Sequence, residues 1–118
     1  MFAAHNRLNN LVAIVDRNYQ CVTDFTENLI EIEPLDEKWK SFGWDVVRID
    51  GHSIEAVLAV LSPLRSRVST KPLVIIANTV KGKGVDFMEY QPSAHGIAPK
   101  AERADEAKIS LAKKGLLQ

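Results

Sequence analysis

Four short stretches hold the side chains able to do chemistry: Asp16-Arg17-Asn18, Gly51-His52, Lys81-Gly82-Lys83-Gly84 and His95-Gly96. Asp16, Arg17 and Asn18 close an apolar run, at the kind of strand end where open parallel sheets gather ligands. The plainer alternative is that Asp16 and Asn18 only shape a turn, as Asx residues do. Lys81-Gly82-Lys83-Gly84 reads as an anion cradle: glycines let backbone N–H groups approach a phosphate, and lysine adds a point charge. Its alternative is a solvated basic turn. His95 lies between Ala94 and Gly96, in a segment restrained by Pro92 and Pro99. It is a better candidate than His52, which fits a turn-capping role, or His5, which fits a helix surface. The basic turn is not a P-loop, since no GxxxxGK[ST] precedes a helix. HExxH, CxxC and GxSxG are also absent, so zinc hydrolysis and a nucleophile elbow find no support.

These residues need strands and helices to place them. Leu11 to Asp16 and Leu73 to Thr79 are short apolar, β-branched runs without polar alternation, Trp44 to Asp50 is the strand between them in the chain, and all three are expected to be parallel and buried on both faces. Met1 to Leu8 reads as the last turns of a helix with Phe2, Ala3 and Leu8 toward a core, ended by Asn9-Asn10. That helix has no start signal, so its beginning is expected to lie upstream. Residues 17–32 have no period but carry Tyr19, Val22, Phe25 and Leu29, too apolar for disorder, so this loop is expected to pack. A helix opens at Glu33-Pro34, buries Leu35, Trp39 and Phe42, and stops at Gly43. Ser53 caps a second helix with Ile54, Val57, Leu58 and Leu61 as its buried stripe, and Pro63 ends it. Glu102 to Lys114 is a charged helix with Ala104, Ala107, Ile109 and Leu111 on a thin apolar side, stopped by Gly115. Strand, helix, strand, helix, strand is an α/β unit, a parallel sheet with helices on both faces and right-handed crossovers. Three such strands with few helices to cover them are expected to belong to a larger sheet.

A chain of 118 residues makes one domain. Its 15 basic and 15 acidic side chains cancel, leaving no field to draw nucleic acid or an anionic membrane. No apolar run approaches the length of a membrane span. The lone Cys21 allows no intrachain disulfide and suits a reducing compartment. The first ten residues lack a secretory layout, so a cytoplasmic protein is expected.

The motifs NNLVAIVDRN, TEN, EPLDEKWKSFGWDVVRIDGHSIEAVLAVL, KPLVIIANTVKGKGVDFME and HGIAPK, in this order, resemble the thiamin-diphosphate-binding domain of transketolase. The resemblance covers Met1 to about Lys100. It implies that residues 1–118 are the C-terminal part of that domain, with a Gly-Asp-Gly metal segment expected before Met1. It implies thiamin diphosphate and a divalent metal, Mg2+ or else Ca2+ or Mn2+, as cofactors. Asn18 matches the asparagine that closes the metal motif, and Gln20 the residue whose carbonyl binds the metal. Lys81 matches a cofactor-contacting lysine. His95, fourteen residues later, matches a histidine that touches cofactor and substrate and serves catalysis.

The implied reaction moves a two-carbon ketol unit between sugar phosphates, as in the pentose phosphate pathway. The implied partner is a pyrimidine-binding domain or subunit, in a dimer or a heterotetramer. Two departures stand out. The family's usual Gly-Leu-Gln-Ile-Asp-Gly after the asparagine is Tyr19-Gln20-Cys21-Val22-Thr23-Asp24, and its usual Trp before the histidine is Ala94. A related thiamin enzyme, such as deoxyxylulose-phosphate synthase, is the nearest alternative. A non-enzymatic receiver-like module with Asp16 and Lys81 at strand ends is the more distant one.

Overall fold

The computed structural model describes residues 1–117, which form two compact units. The first comprises Met1–Arg17 and Ile32–Thr79; the second comprises Asn18–Glu31 and the chain from Val80 onward.

The first unit is a parallel sheet of β1 (Val12–Arg17), β2 (Asp45–Asp50) and β3 (Leu73–Asn78), in the order β1-β3-β2. Val12 and Asp45 both pair with Leu73, and the register runs to Arg17 and Asp50 on Asn78. The connection from β1 to β2 and the one from β2 to β3 travel in opposite directions along the sheet. Right-handed crossovers therefore put their helices on opposite faces. On one face, Val74, Ile76 and Trp44 form the core, joined by Ala13, Val15 and Val46 of the outer strands. Ala3 and Ala4 of α1 (Phe2–His5) and Leu35 and Trp39 of α3 (Leu35–Ser41) close over it. The Trp39 and Trp44 rings meet edge to face at 4.9 Å. The crossover from β2 to β3 carries α4 (Ile54–Leu61), which packs on β2. The Ser53 hydroxyl caps it, accepting the Ala56 N–H at 3.1 Å, and the backbone tightens into a 3-10 turn at Ser62–Ser66, around Pro63.

The sheet corrects the expectation of three strands buried on both faces. Only β3, flanked on both sides, is buried along its length; Ile14 in β1 is 63% exposed. The stripe of α4 is not buried either, with Ile54 at 71% and Leu58 at 55% exposure. Phe42 and Phe2 also face solvent, because Phe42 has already left α3 as its C-cap and α1 turns only its two alanines to the core. α1 stops earlier than Asn9-Asn10. Arg7 takes the left-handed conformation at φ 52°, and the N–H groups of Arg7 and Leu8 return to Ala4 and Ala3. That is a Schellman closure with arginine in the glycine position. Gly43 makes the expected one after α3 at φ 85°.

Glu33 is the polar centre of this unit. Its carboxylate accepts from Arg17 Nε at 2.9 Å, from Arg48 at 3.1 Å and from the Leu35 N–H at 2.9 Å. The Leu35 N–H, the Arg17 hydrogen bond and the Arg48 charge together pull its pKa down to about 2. Arg17, read from sequence as part of a ligand-facing turn, is instead 2% exposed.

The second unit holds α2 (Thr26–Leu29), a 3-10 turn at Pro92–Ala94, and α5 (Ala101–Lys113). The expectation that residues 17–32 pack holds only for Phe25 and its immediate surroundings. Val22 and Leu29 stay at least half exposed, and Tyr19 is 37% exposed. α5 packs through Ala104, Ala107, Ser110 and Leu111, a spacing of three to four, which rotates Ile109 out to solvent. Gly115 ends it at φ 68° with the N–H groups of Gly115 and Leu116 bonded back to Ala112 and Leu111.

Candidate functional site

All four residues singled out from the sequence, Asn18, Gln20, Lys81 and His95, lie in the second unit. Asn18 and Gln20 are brought together directly. The Asn18 Oδ1 accepts the Gln20 N–H at 3.0 Å, an Asx turn. The turn puts Tyr19 at φ 63°, a conformation glycine adopts freely and tyrosine rarely does. This is the position where the resemblance expects glycine.

Gln20 then bridges antiparallel to Phe25, through hydrogen bonds from Thr26 N to the Tyr19 carbonyl and from Cys21 N to the Asp24 carbonyl. In such a pair the two opposed residues bond to each other through neither of their own peptide groups. The N–H and C=O of Gln20 therefore both point outward, on one side. The N–H meets Asn18 Oδ1 there, and the C=O is beside it. An amide oxygen has two lone pairs, and the Asx turn uses one. Asn18 Oδ1 thus lies on the side to which the Gln20 carbonyl also points. This donor set suits a hard divalent cation, which takes oxygen ligands and often shares them with phosphate. The residues fit the expected metal.

The basic turn differs from the expected cradle. The N–H of Lys83 bonds to Val80, that of Val85 to Gly82, and that of Gly84 to Glu89 Oε1 at 2.8 Å. Those three donors are spent inside the protein. The glycines serve close packing instead: a Cβ on Gly82 would lie 2.6 Å from Met88 Cβ, and one on Gly84 2.6 Å from Leu111 Cδ2. The Gly84 N–H, with Lys114 beside it, holds the Glu89 carboxyl below the usual carboxylate range. Lys81 emerges from this rigid turn half-buried, and its ammonium has no hydrogen-bond or ion-pair partner among the described residues.

His95 is exposed and caps the 3-10 turn, its N–H bonded to the Pro92 carbonyl at 3.0 Å. No hydrogen bond joins Lys81 or His95 to Asn18 or Gln20, so the described residues show one assembled pair and two separately held side chains. Among the described residues no three His, Cys, Asp or Glu side chains gather as a metal site, and Asp16 accepts the Thr79 hydroxyl. The acidic cluster of a receiver is therefore not formed here.

Two features escaped the sequence. The Gln20 Oε1 is buried and has no hydrogen-bond partner among the described residues. A cavity of about 630 Å³ lies between the Phe87–Gln91 segment and the start of α5. Of the residues that line it, Arg103 holds its guanidinium over the face of the Phe87 ring, 4.7 Å from the centroid. A polar residue in a short apolar-polar mixture gives no signal of being buried. The cavity depends on how the irregular arm folds, which has no period to read.

Residues 1–115 match the family model described as "Transketolase, thiamine diphosphate binding domain". The chain is 36% identical over 115 residues to a 6-deoxy-6-sulfo-D-fructose transketolase subunit of Clostridium sp. strain MSTE9, covering 98% of this chain and 42% of that protein. It is 37% identical over 105 residues to an apulose-4-phosphate transketolase subunit of Actinobacillus succinogenes, covering 89% and 37%. The chain thus spans about two fifths of the length of these relatives. Among solved structures, a transketolase of Campylobacter jejuni superposes with a TM-score of 0.82 at 27% identity, over 94% of this chain and 17% of that one. With residues 1–115 matched and the parallel sheet shared with solved transketolases, the chain belongs to the transketolase family of thiamine diphosphate binding domains.

Proposed function

We propose that this chain supplies the diphosphate and metal half of a transketolase, which moves a two-carbon ketol unit from a ketose phosphate to an aldose phosphate. The observation that carries the reading is the Asx turn in which Asn18 Oδ1 accepts the Gln20 N–H, with the Gln20 carbonyl directed to the same side as that N–H. Neutral ligands hold Mg2+ without adding negative charge beside a diphosphate. When bound, thiamin diphosphate supplies a carbon nucleophile and an electron sink for the transferred unit. Lys81, unpaired on a rigid turn, offsets diphosphate charge. His95, on an exposed and proline-restrained arm, hydrogen-bonds the substrate and orients it. The Clostridium and Actinobacillus relatives are both described as subunits, which supports a partner subunit carrying the pyrimidine-binding domain, in a dimeric or heterotetrameric assembly. The free, exposed Cys21 suits the reducing cytoplasm. Residues 1–118 would then be the C-terminal part of the cofactor domain.

The test is Asn18→Ala in the assembled enzyme. Removing a metal-site group typically costs about tenfold to a hundredfold in affinity, and that loss is expected for thiamin diphosphate titrated calorimetrically with magnesium. Unchanged affinity for both would leave Asn18 as a turn residue only.

A further inference from the structure

We infer that Glu89 and Lys114 are positioning residues for Lys81: through them the end of α5 holds the basic turn in shape and raises its affinity for thiamin diphosphate. The inference rests on the function proposed above, which gives the diphosphate charge to Lys81, and it names what keeps that lysine in place.

The basic turn is held from outside itself. Two of its hydrogen bonds are its own, Lys83 N–H to the Val80 carbonyl and Val85 N–H to the Gly82 carbonyl. The third is not: the Gly84 N–H donates to Glu89 Oε1 at 2.8 Å. The Glu89 side chain is only 18% exposed, and the same oxygen accepts from Lys114 Nζ at 3.4 Å. Lys114, the C-cap of α5, also pairs with Asp86, whose second carboxylate oxygen accepts the Ser110 hydroxyl at 3.2 Å. Between these two acidic residues the chain turns back on itself, with the Met88 and Glu89 N–H groups bonded to the Val85 carbonyl. One ammonium thus ties both acidic residues to the end of α5, and one of them closes the basic turn.

An exposed ion pair contributes little to stability, because solvent screens it and two side chains must be ordered to make it. Lys114 is 36% exposed and Asp86 66%, so the clamp is poorly placed to stabilise the fold. Its larger consequence is geometric. Lys114 keeps the Glu89 carboxylate on the Gly84 N–H, and that hydrogen bond closes the turn from which Lys81 projects. The Lys81 ammonium has no partner among the described residues, so its position depends on the backbone beneath it. A binding group held in place before its ligand arrives binds more tightly than one that must be ordered on binding.

Lys114→Ala, Glu89→Gln and Lys114→Arg test this in the assembled enzyme, each alone and combined with Lys81→Ala. Calorimetry at saturating magnesium gives the thiamin diphosphate Kd, and thermal unfolding checks that each variant folds. Glu89→Gln keeps an oxygen for the Gly84 N–H and loses the charge that attracts Lys114. The expected Kd is raised about threefold to tenfold by Lys114→Ala and by Glu89→Gln, and stays near wild type in Lys114→Arg. No further rise is expected when either of the first two is added to Lys81→Ala, because both act through that lysine. A clamp that served only the fold would add its effect to that of Lys81→Ala. Such additivity overturns the inference, as does wild-type affinity in Lys114→Ala and Glu89→Gln, or a loss in Lys114→Arg equal to that in Lys114→Ala; all three leave the proposed function standing. If Lys114→Ala does not fold, Glu89→Gln decides alone. An affinity unchanged by Lys81→Ala itself removes the diphosphate role of Lys81, and this inference with it.

Discussion

Lys81 and His95 stand on different supports, and their losses should differ accordingly. Lys81 leaves a turn whose N–H groups are bonded internally and whose glycines are packed, so its backbone is firmly held. His95 rides on an exposed 3-10 turn. Lys81→Ala should weaken cofactor binding, with most of the rate recovered at saturating cofactor. His95→Ala should keep a deficit in kcat/KM of about tenfold to a hundredfold at saturation, the worth of one charge-assisted hydrogen bond. A cofactor titration of both variants with a ketose donor and an aldose acceptor separates them, and full rescue of His95→Ala would confine that residue to the diphosphate. Tyr19 offers a stability test at the same site. Its φ of 63° costs a non-glycine residue roughly 1–2 kcal/mol. Tyr19→Gly should therefore raise stability by about 1 kcal/mol once lost side-chain contacts are subtracted, read as a higher urea midpoint. A lower midpoint would mean that the tyrosine ring contributes more than the left-handed backbone costs.

At the scale of elements, the strands and helices were legible within a residue or two wherever a chemical signal marked them. Ser53 announced the start of α4, and Gly43 and Gly115 announced the ends of α3 and α5. Burial was legible less often, because an apolar run states that a strand is able to be buried and not that a neighbour covers it. β3 has no charged residue and is buried, whereas β1 and β2, which carry Asp16, Arg17, Asp45, Arg48 and Asp50, lie at the sheet's edges. At the site, the Asx turn at Asn18 was legible as the plainer alternative, whereas the internal bonding of the basic turn was not. Nothing in Lys-Gly-Lys-Gly reveals that Glu89 takes the Gly84 N–H. That turn makes a direct prediction. Gly84→Ala places a Cβ against Leu111 and Leu116 at a φ of 96°, so it should destabilise the protein by about 1–3 kcal/mol. Gly96, with nothing near its Cβ position, controls for φ alone: Gly96→Ala should cost less in the same chemical denaturation.

For the whole molecule, Glu33 sets an acid limit. One carboxylate bonds Arg17 at the end of β1 and Arg48 in β2, two strands that do not touch each other. Its pKa falls from 4.5 to about 2 on folding, so the unfolded chain takes up its proton first as pH drops. The stabilisation is present in full above pH 4.5 and fades as pH falls toward about 2. Glu33→Gln should lower stability at neutral pH by about 1–3 kcal/mol, since it removes the charged acceptor of both arginines. It should also flatten the loss of stability between those two pH values. An unchanged acid limb in pH-dependent unfolding would assign that loss to other carboxylates.

The strand order also has a consequence in time. The central strand of the sheet is the last of the three in the sequence, and each outer strand pairs only with it. A nascent chain that has emerged through Asp50 carries both flanks of the sheet and no ladder to join them. Pairing begins only when Leu73–Asn78 leaves the ribosome, and it then completes on both sides at once. Until that moment β1 and β2 have no ladder partner among the described residues, and unpaired strands of this kind favour association.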